Sequence, residues 1–185
     1  MKVLAISGSL RADSHNSKLL RTAAELFPAD VQVEIWDGLK EVPPYDEDDE
    51  GVEAPAAVAR LRDAIAGADA LLFATPEYNH SIPGVLKNAI DWASRPAGAS
   101  VFLNKPAAVI GASTGAFGAV WAQAELRKVL GATGARVVEG DLALGHAHER
   151  FDEAGRLGDP NLQEELQEVV NALVLVTRAR DAIAA

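Results

Sequence analysis

Short apolar runs alternate with amphipathic helical patterns from one end of this sequence to the other. Val3–Ile6, Ala70–Ala74 and Ala107–Ile110 are near-continuous hydrophobic stretches of strand length. Strands buried on both faces read this way. Val31–Trp36 alternates at period two, which predicts a strand with one less-buried face, and Arg136–Val138 predicts a short fifth. Helical spacing is read over about 15–27, 54–66, 82–93, 119–130 and 161–183. The clearest case is Ile82, Val85, Leu86, Ala89, Ile90 and Ala93, an i, i+3, i+4, i+7 pattern. A β-α unit repeated five times predicts an α/β fold. It is a flavodoxin-like three-layer sandwich around a five-stranded parallel sheet in order 2-1-3-4-5. No linker or internal repeat interrupts it, so residues 1–185 are expected to form one domain.

Composition narrows the function. Seventeen Lys and Arg against 27 Asp and Glu give a formal charge of −10. Nucleic-acid binding needs basic patches and is not expected. The chain has no cysteine, which excludes disulfides, thiolate metal sites and a Cys nucleophile. The Val3–Ile6 run is too short for a signal-peptide core, and nothing approaches the ~20 apolar residues of a membrane helix. No membrane insertion and a cytoplasmic location are expected. The acidic run Asp46–Glu50 reads as a solvated, mobile loop.

In a doubly wound sheet, ligands bind beyond the carboxyl ends of the strands. Three loops fall there. The first, Ser7–Ser17, offers Ser9, Arg11, Ser14, Asn16 and Ser17 just before a helix. Unpaired N–H groups, hydroxyls and a guanidinium at a helix N-terminus suit a phosphate. Helix capping explains Ser14 or Asn16 but not the whole set. The second loop, Thr75–Ser81, holds Pro76, Glu77, Tyr78, Asn79, His80 and Ser81. Pro76 and Ser81 suit a strand stop and a cap, while Tyr78 suits a flat ring. The third runs Gly111-Ala112-Ser113-Thr114-Gly115. It fits the G-x-S-x-G nucleophile elbow, with Asp141 and His146 following in hydrolase order. Against a serine hydrolase, five residues between the acid and the His cannot hold an intervening helix and strand. The same residues also let backbone approach a ligand closely. His146 and His148 lack a supporting cluster for a metal, and no metal is expected. Neither G-x-G-x-x-G after the first strand nor G-x-x-x-x-G-K-[ST] is present.

Gly8-Ser9-Leu10-Arg11-x-x-Ser14-x-Asn16 and Pro76-Glu77-Tyr78-Asn79-x-Ser81-x-Pro83-Gly84-x-Leu86-Lys87-Asn88-Ala89-Ile90-Asp91-Trp92 closely resemble the NADPH-dependent FMN reductase family. That family includes bacterial quinone, chromate and azo-dye reductases. The resemblance runs from the first strand to at least the fourth helix. Where many members have a Gly-Gly-rich third loop, this chain has Gly115-Ala116-Phe117-Gly118. The resemblance implies non-covalent FMN, NADPH or NADH as co-substrate, a small electron acceptor, and a homodimer or homotetramer. It implies Ser9, Arg11, Ser14, Asn16 and Ser17 at the phosphate, and Pro76, Glu77, Tyr78 and Asn79 at the isoalloxazine and ribityl groups. Ser113, Thr114 and Gly115 would line the ring's other side. A neighbouring subunit's Pro43–Glu50 loop could complete the pocket. The implied reaction is ping-pong, with hydride passing to flavin N5 and on to a quinone, flavin, chromate or azo-type acceptor from the same face. No protein side chain need then be a nucleophile. An electron carrier of flavodoxin type is the alternative, although flavodoxins bind phosphate with a Thr/Ser-rich loop lacking arginine. A flavin-binding module without turnover is a third. No 2′-phosphate site can be traced in the sequence.

Overall fold

A computed structural model describes residues 1–50, 54–140 and 142–184. The elements run β1 (Lys2–Ser7), α1 (His15–Leu26), β2 (Gln32–Trp36), α2 (Ala56–Ala66), β3 (Ala70–Thr75) and α3 (Gly84–Ala93). They continue with β4 (Pro106–Ala112), α4 (Val120–Ala132), β5 (Arg136–Val137), β6 (Ala143–Leu144) and α5 (Pro160–Ala184). All pairings are parallel, in order β2-β1-β3-β4-β5, with β6 also paired to β4. The expected order holds.

The pleat sorts each buried strand between two cores. Val3 and Ala5, Ala70, Leu72 and Ala74, and Ala108 and Ile110 face α1 and α5. Leu4 and Ile6, Leu71 and Phe73, and Ala107 and Val109 face α2, α3 and α4. The alternation of side chains along a strand makes this division automatic. β1, β3 and β4 are hydrophobic on both faces because both faces are covered. β2 lies at the edge, and Ile35 there is exposed.

The opposite edge departs from a simple fifth strand. β5 pairs with Pro106 and Ala107 at the start of β4, and β6 with Gly111 and Ala112 at its end. Two short strands thus share one position. Side chains from α4 serve the backbone across the gap. Gln123 Nε2 donates to the carbonyls of Gly118 (3.1 Å) and Leu142 (3.0 Å). Arg127 Nη2 donates to those of Val109 (3.1 Å) and Gly140 (2.6 Å). Buried carbonyls need such partners wherever a ladder is interrupted.

The acidic stretch 46–50 is not a free loop. Glu47–Asp49 forms a 3-10 turn, and the segment leading into it is fastened to α3. Tyr45 N donates to Asn88 Oδ1 (2.7 Å), while Asn88 Nδ2 (2.8 Å) and Trp92 Nε1 (3.0 Å) donate to the Pro43 carbonyl. The Tyr45 hydroxyl donates to Glu50, and its ring meets Trp92 edge-on. The charge run reported solvation correctly, but it carries no information about these uncharged anchors. No helix among the described residues is long and apolar enough to cross a membrane.

Candidate functional site

The three loops converge at the carboxyl ends of β1, β3 and β4. Ser9, Arg11, Ser14, Asn16, Pro76, Glu77, Tyr78, Ser113 and Thr114 line one pocket, joined by His15 and Ala112. Gly8 makes the junction possible. A Cβ there would lie 2.9 Å from Leu86 Cδ2 and 3.3 Å from Pro76 Cδ, so a side chain would have to displace Leu86 and press on the second loop at Pro76.

In the first loop, Ser14 is the N-cap of α1, its hydroxyl accepting from Ser17 N at 3.3 Å. The Ser17 hydroxyl donates to Ser7 Oγ (3.2 Å). The backbone N–H groups of His15 and Asn16 have no partner among the described residues. No acidic residue occupies the first turn of α1. Asp13, just before it, is paired with Lys18 at 2.6 Å, and that hydrogen bond is the largest cause holding its carboxyl below the ordinary range. The helix end is therefore left electropositive. The exposed Arg11 side chain makes one hydrogen bond, to the Asp13 carbonyl (3.3 Å), and no ion pair among the described residues. Ser9 accepts from Arg11 N (3.4 Å).

Asn16 behaves differently. Its side chain, 3% exposed, donates to the Ala112 carbonyl and accepts from Ala112 N, both at 2.9 Å. The amide is a strut tying α1 to the end of β4, so the backbone N–H is its group free for a ligand. His15 was not singled out by the sequence. Its Nδ1 is buried without a hydrogen-bond partner and its ring stacks on Phe151 at 5.9 Å. Burial, the largest cause, lowers its pKa from 6.5, with the Lys18 and Arg11 charges adding to the shift. Nothing in the sequence distinguishes a histidine at this position from a solvated one.

The second loop turns Glu77, His80 and Ser81 toward α4 and leaves Asn79 exposed. Tyr78 and Ser81 exchange backbone hydrogen bonds (3.0 and 3.1 Å) around Asn79 and His80. Both central residues have positive φ, 53° and 61°, as a type I′ turn requires. Glu77 Oε2 accepts from Trp121 N and Ala122 N, both at 3.1 Å. This caps α4, whose own N-cap, Ala119, has no side chain to do so and lies at φ 63°. His80 meets the Trp121 ring edge-on at 4.7 Å, and Ser81 Oγ donates to Glu125 Oε2 at 2.6 Å. Tyr78 is left 50% exposed at the pocket.

The third loop is not a nucleophile elbow. β4 ends at Ala112 and α4 begins at Val120, so no helix starts directly behind Ser113. Ser113 Oγ accepts from Gly115 N (3.1 Å), and no imidazole is bonded to it among the described residues. His146 serves the loop through its backbone, N–H to the Gly115 carbonyl at 3.0 Å. Asp141 lies outside the described residues. Gly118, at φ 58°, lets the loop cross Ala143, whose carbonyl carbon a Cβ would approach to 2.2 Å. His148 pairs with Glu149 at 3.2 Å.

The family model for NADPH-dependent FMN reductase matches residues 1–149. The chain belongs to the NADPH-dependent FMN reductase family. Members of this family use FMN with NAD(P)H as co-substrate, and membership makes the chain an oxidoreductase rather than a hydrolase. An NAD(P)H-dependent FMN reductase of Pseudomonas aeruginosa is 46% identical over 179 residues, covering 96% of each chain. A 2-hydroxy-1,4-benzoquinone reductase from a Burkholderia species is 38% identical, covering 97% of this chain and 98% of that one. Among solved structures, the flavoenzyme NAD(P)H:(acceptor) oxidoreductase FerB from Paracoccus denitrificans superposes with a TM-score of 0.88 at 37% identity. The match covers 96% of this chain and 97% of that one.

Proposed function

We propose that the whole chain acts as one FMN-binding domain that oxidises NADPH or NADH and reduces quinone-type acceptors. The observation that carries this is the loop after β1. The N–H groups of His15 and Asn16 and the Arg11 guanidinium, none with a carboxylate partner among the described residues, face one pocket, while Asp13 nearby is paired with Lys18. That donor set fits a dianionic phosphate. His15 also lines this pocket, and its buried Nδ1 has no partner among the described residues.

The residues divide by what they still have free. Arg11, the hydroxyls of Ser9 and Ser14, and the N–H groups of His15 and Asn16 hold the phosphate. Ser17 supports them through Ser7. Next to this pocket lies a cavity of about 420 Å³ lined by Gly8, Leu10, Tyr78, Pro83 and Val85, apolar enough for a flat ring. Tyr78 lines both chambers, and Pro76, Ser113 and Thr114 line the phosphate pocket; Asn79 and Gly115 line neither and would act through the turns they form. Glu77 keeps the second loop in place by capping α4. When bound, FMN would supply the two-electron redox chemistry between nicotinamide and acceptor. The protein's part would be to bind and orient these partners.

The chain functions as a homodimer or homotetramer in the cytoplasm. Support for assembly comes from Phe117, Val120 and Trp121, exposed together beside the pocket at 66%, 42% and 43%. The decisive experiment is an absorption spectrum after FMN loading and desalting, followed by anaerobic NADPH or NADH. A retained flavin band that bleaches is expected. A band retained but bleached by neither would indicate an electron carrier, and no retained flavin would overturn the phosphate assignment.

A further inference from the structure

On the other side of the Leu10-Arg11 tip, a second groove of about 320 Å³ opens between the ends of β1 and β2. Arg11, Arg21, Trp36, Asp37 and Lys40 line it, and of these only Arg11 also serves the flavin pocket. Most cations in this acidic chain have partners: Lys2 pairs with Glu34, Lys18 with Asp13, Lys87 with Asp91 and Arg178 with Asp30. Arg21 and Lys40 make no hydrogen bond or ion pair among the described residues. Nearby acids are already neutralised, Glu34 by Lys2 and Glu41 by Arg60. The exception is Asp37, whose side chain caps nothing. Trp36 is half-buried at the groove. A Cβ at Gly38 would lie 2.6 Å from Trp36 Cζ2, so the glycine gives the indole room against the backbone.

Two cations without a partner among the described residues, Arg21 and Lys40, form a mixed set with the Trp36 indole and the Asp37 carboxylate. A simple anion site has no use for Asp37, and a simple apolar site has no use for Arg21 and Lys40. A phosphorylated nucleoside uses all of them: base on Trp36, ribose hydroxyl to Asp37, phosphate to the cations. Leu10 and Arg11 also line the cavity beside Tyr78, so one extended dinucleotide can cross the tip from one chamber to the other.

We propose that this groove holds the adenosine end of NADPH, with Arg21 and Lys40 reading its 2′-phosphate and so favouring NADPH over NADH. The inference rests on the NAD(P)H-dependent reading above. These cations are exposed, so each contact is worth about tenfold and is weakened by salt.

The test uses the full-length, FMN-loaded protein and the double variant Arg21→Ala/Lys40→Ala. The ratio of kcat/KM for NADPH to that for NADH should fall about 10- to 100-fold in the variant. The single change Lys40→Arg should keep most of the ratio. Adenosine 2′,5′-bisphosphate, followed by calorimetry, should bind the wild type in competition with NADPH, more tightly than 5′-AMP, and lose that advantage in the double variant. An unchanged ratio in the variant overturns the proposal. So does inorganic phosphate competing as well as the bisphosphate, which would make the groove a plain anion site. Should the wild-type flavin be reduced by neither nucleotide, the reductase reading itself fails. The calorimetric arm then decides the groove alone.

Discussion

The loops after β1 and β3 look alike as text, each a polar stretch between a buried strand and a helix. The fold uses them in opposite directions. After β1, backbone N–H groups and a guanidinium are left open toward the pocket. After β3, Glu77, His80 and Ser81 all engage α4. Helix starts explain the difference. α1 has its own cap in Ser14, so its loop is free to recruit a ligand. α4 starts from a left-handed alanine without a cap and borrows Glu77 from another loop. Polar richness therefore marks the rim, but not which side chains face a ligand.

The sharpest test of this contrast is Asn16, whose side chain ties the first loop to the end of β4. Asn16→Ala leaves the Ala112 N–H and carbonyl buried without partners, and should cost about 2–4 kcal/mol in urea unfolding of the FMN-free protein. A loss below 0.5 kcal/mol would mean the strut is dispensable. Arg11→Ala should do the reverse. FMN affinity should fall about 10- to 100-fold, corresponding to roughly 1.5–3 kcal/mol, while stability without FMN barely moves. Fluorescence titration of FMN reads the first and thermal unfolding the second. If stability fell as much as affinity, the first loop would not be open in the sense described.

Glu77→Ala should cost about 1–2 kcal/mol of stability through the lost α4 cap, and Glu77→Gln, which keeps an acceptor, less. An equal loss for both would show that the charge, not the cap, matters. The smallest effect concerns His15. Burial holds its folded pKa below 6.5, so the unfolded chain takes up the proton first as pH falls. Its contribution is fully present above pH 6.5 and is lost as pH falls from there toward the folded pKa. His15→Phe keeps a ring against Phe151 and should flatten the stability profile in that window. An unaltered slope between the variant and wild type would show that His15 is protonated as easily in the folded protein. Asp13, whose carboxyl lies below its ordinary 3.8, contributes stability that is lost as pH falls through that value toward its folded pKa.

Sequence reading placed most of the sheet and all five long helices, because periodicity reports burial directly. It recovered the pocket loops as well, since strand ends and helix starts locate the rim. It did not separate Ser113 as a loop hydroxyl from Ser113 as a nucleophile. The distance from Ala112 to the start of α4 settles that. It gave β5 as one strand, because β6 has two residues and no periodicity of its own. Its register is set by β4, and Gln123 and Arg127 bridge the break from the next helix.

What the sequence determined by itself was the order of elements, the two buried faces and the rim where chemistry belongs. These follow from local hydrophobic patterning, which each segment carries alone. Tertiary structure decided which polar groups remain available. Asn16 meets Ala112, Glu77 meets Trp121, and Arg21 and Lys40 meet no carboxylate among the described residues. The two bonded pairs join residues 96 and 44 positions apart. A hydrogen bond's satisfaction depends on what packing brings within about 3 Å, and no local pattern encodes that.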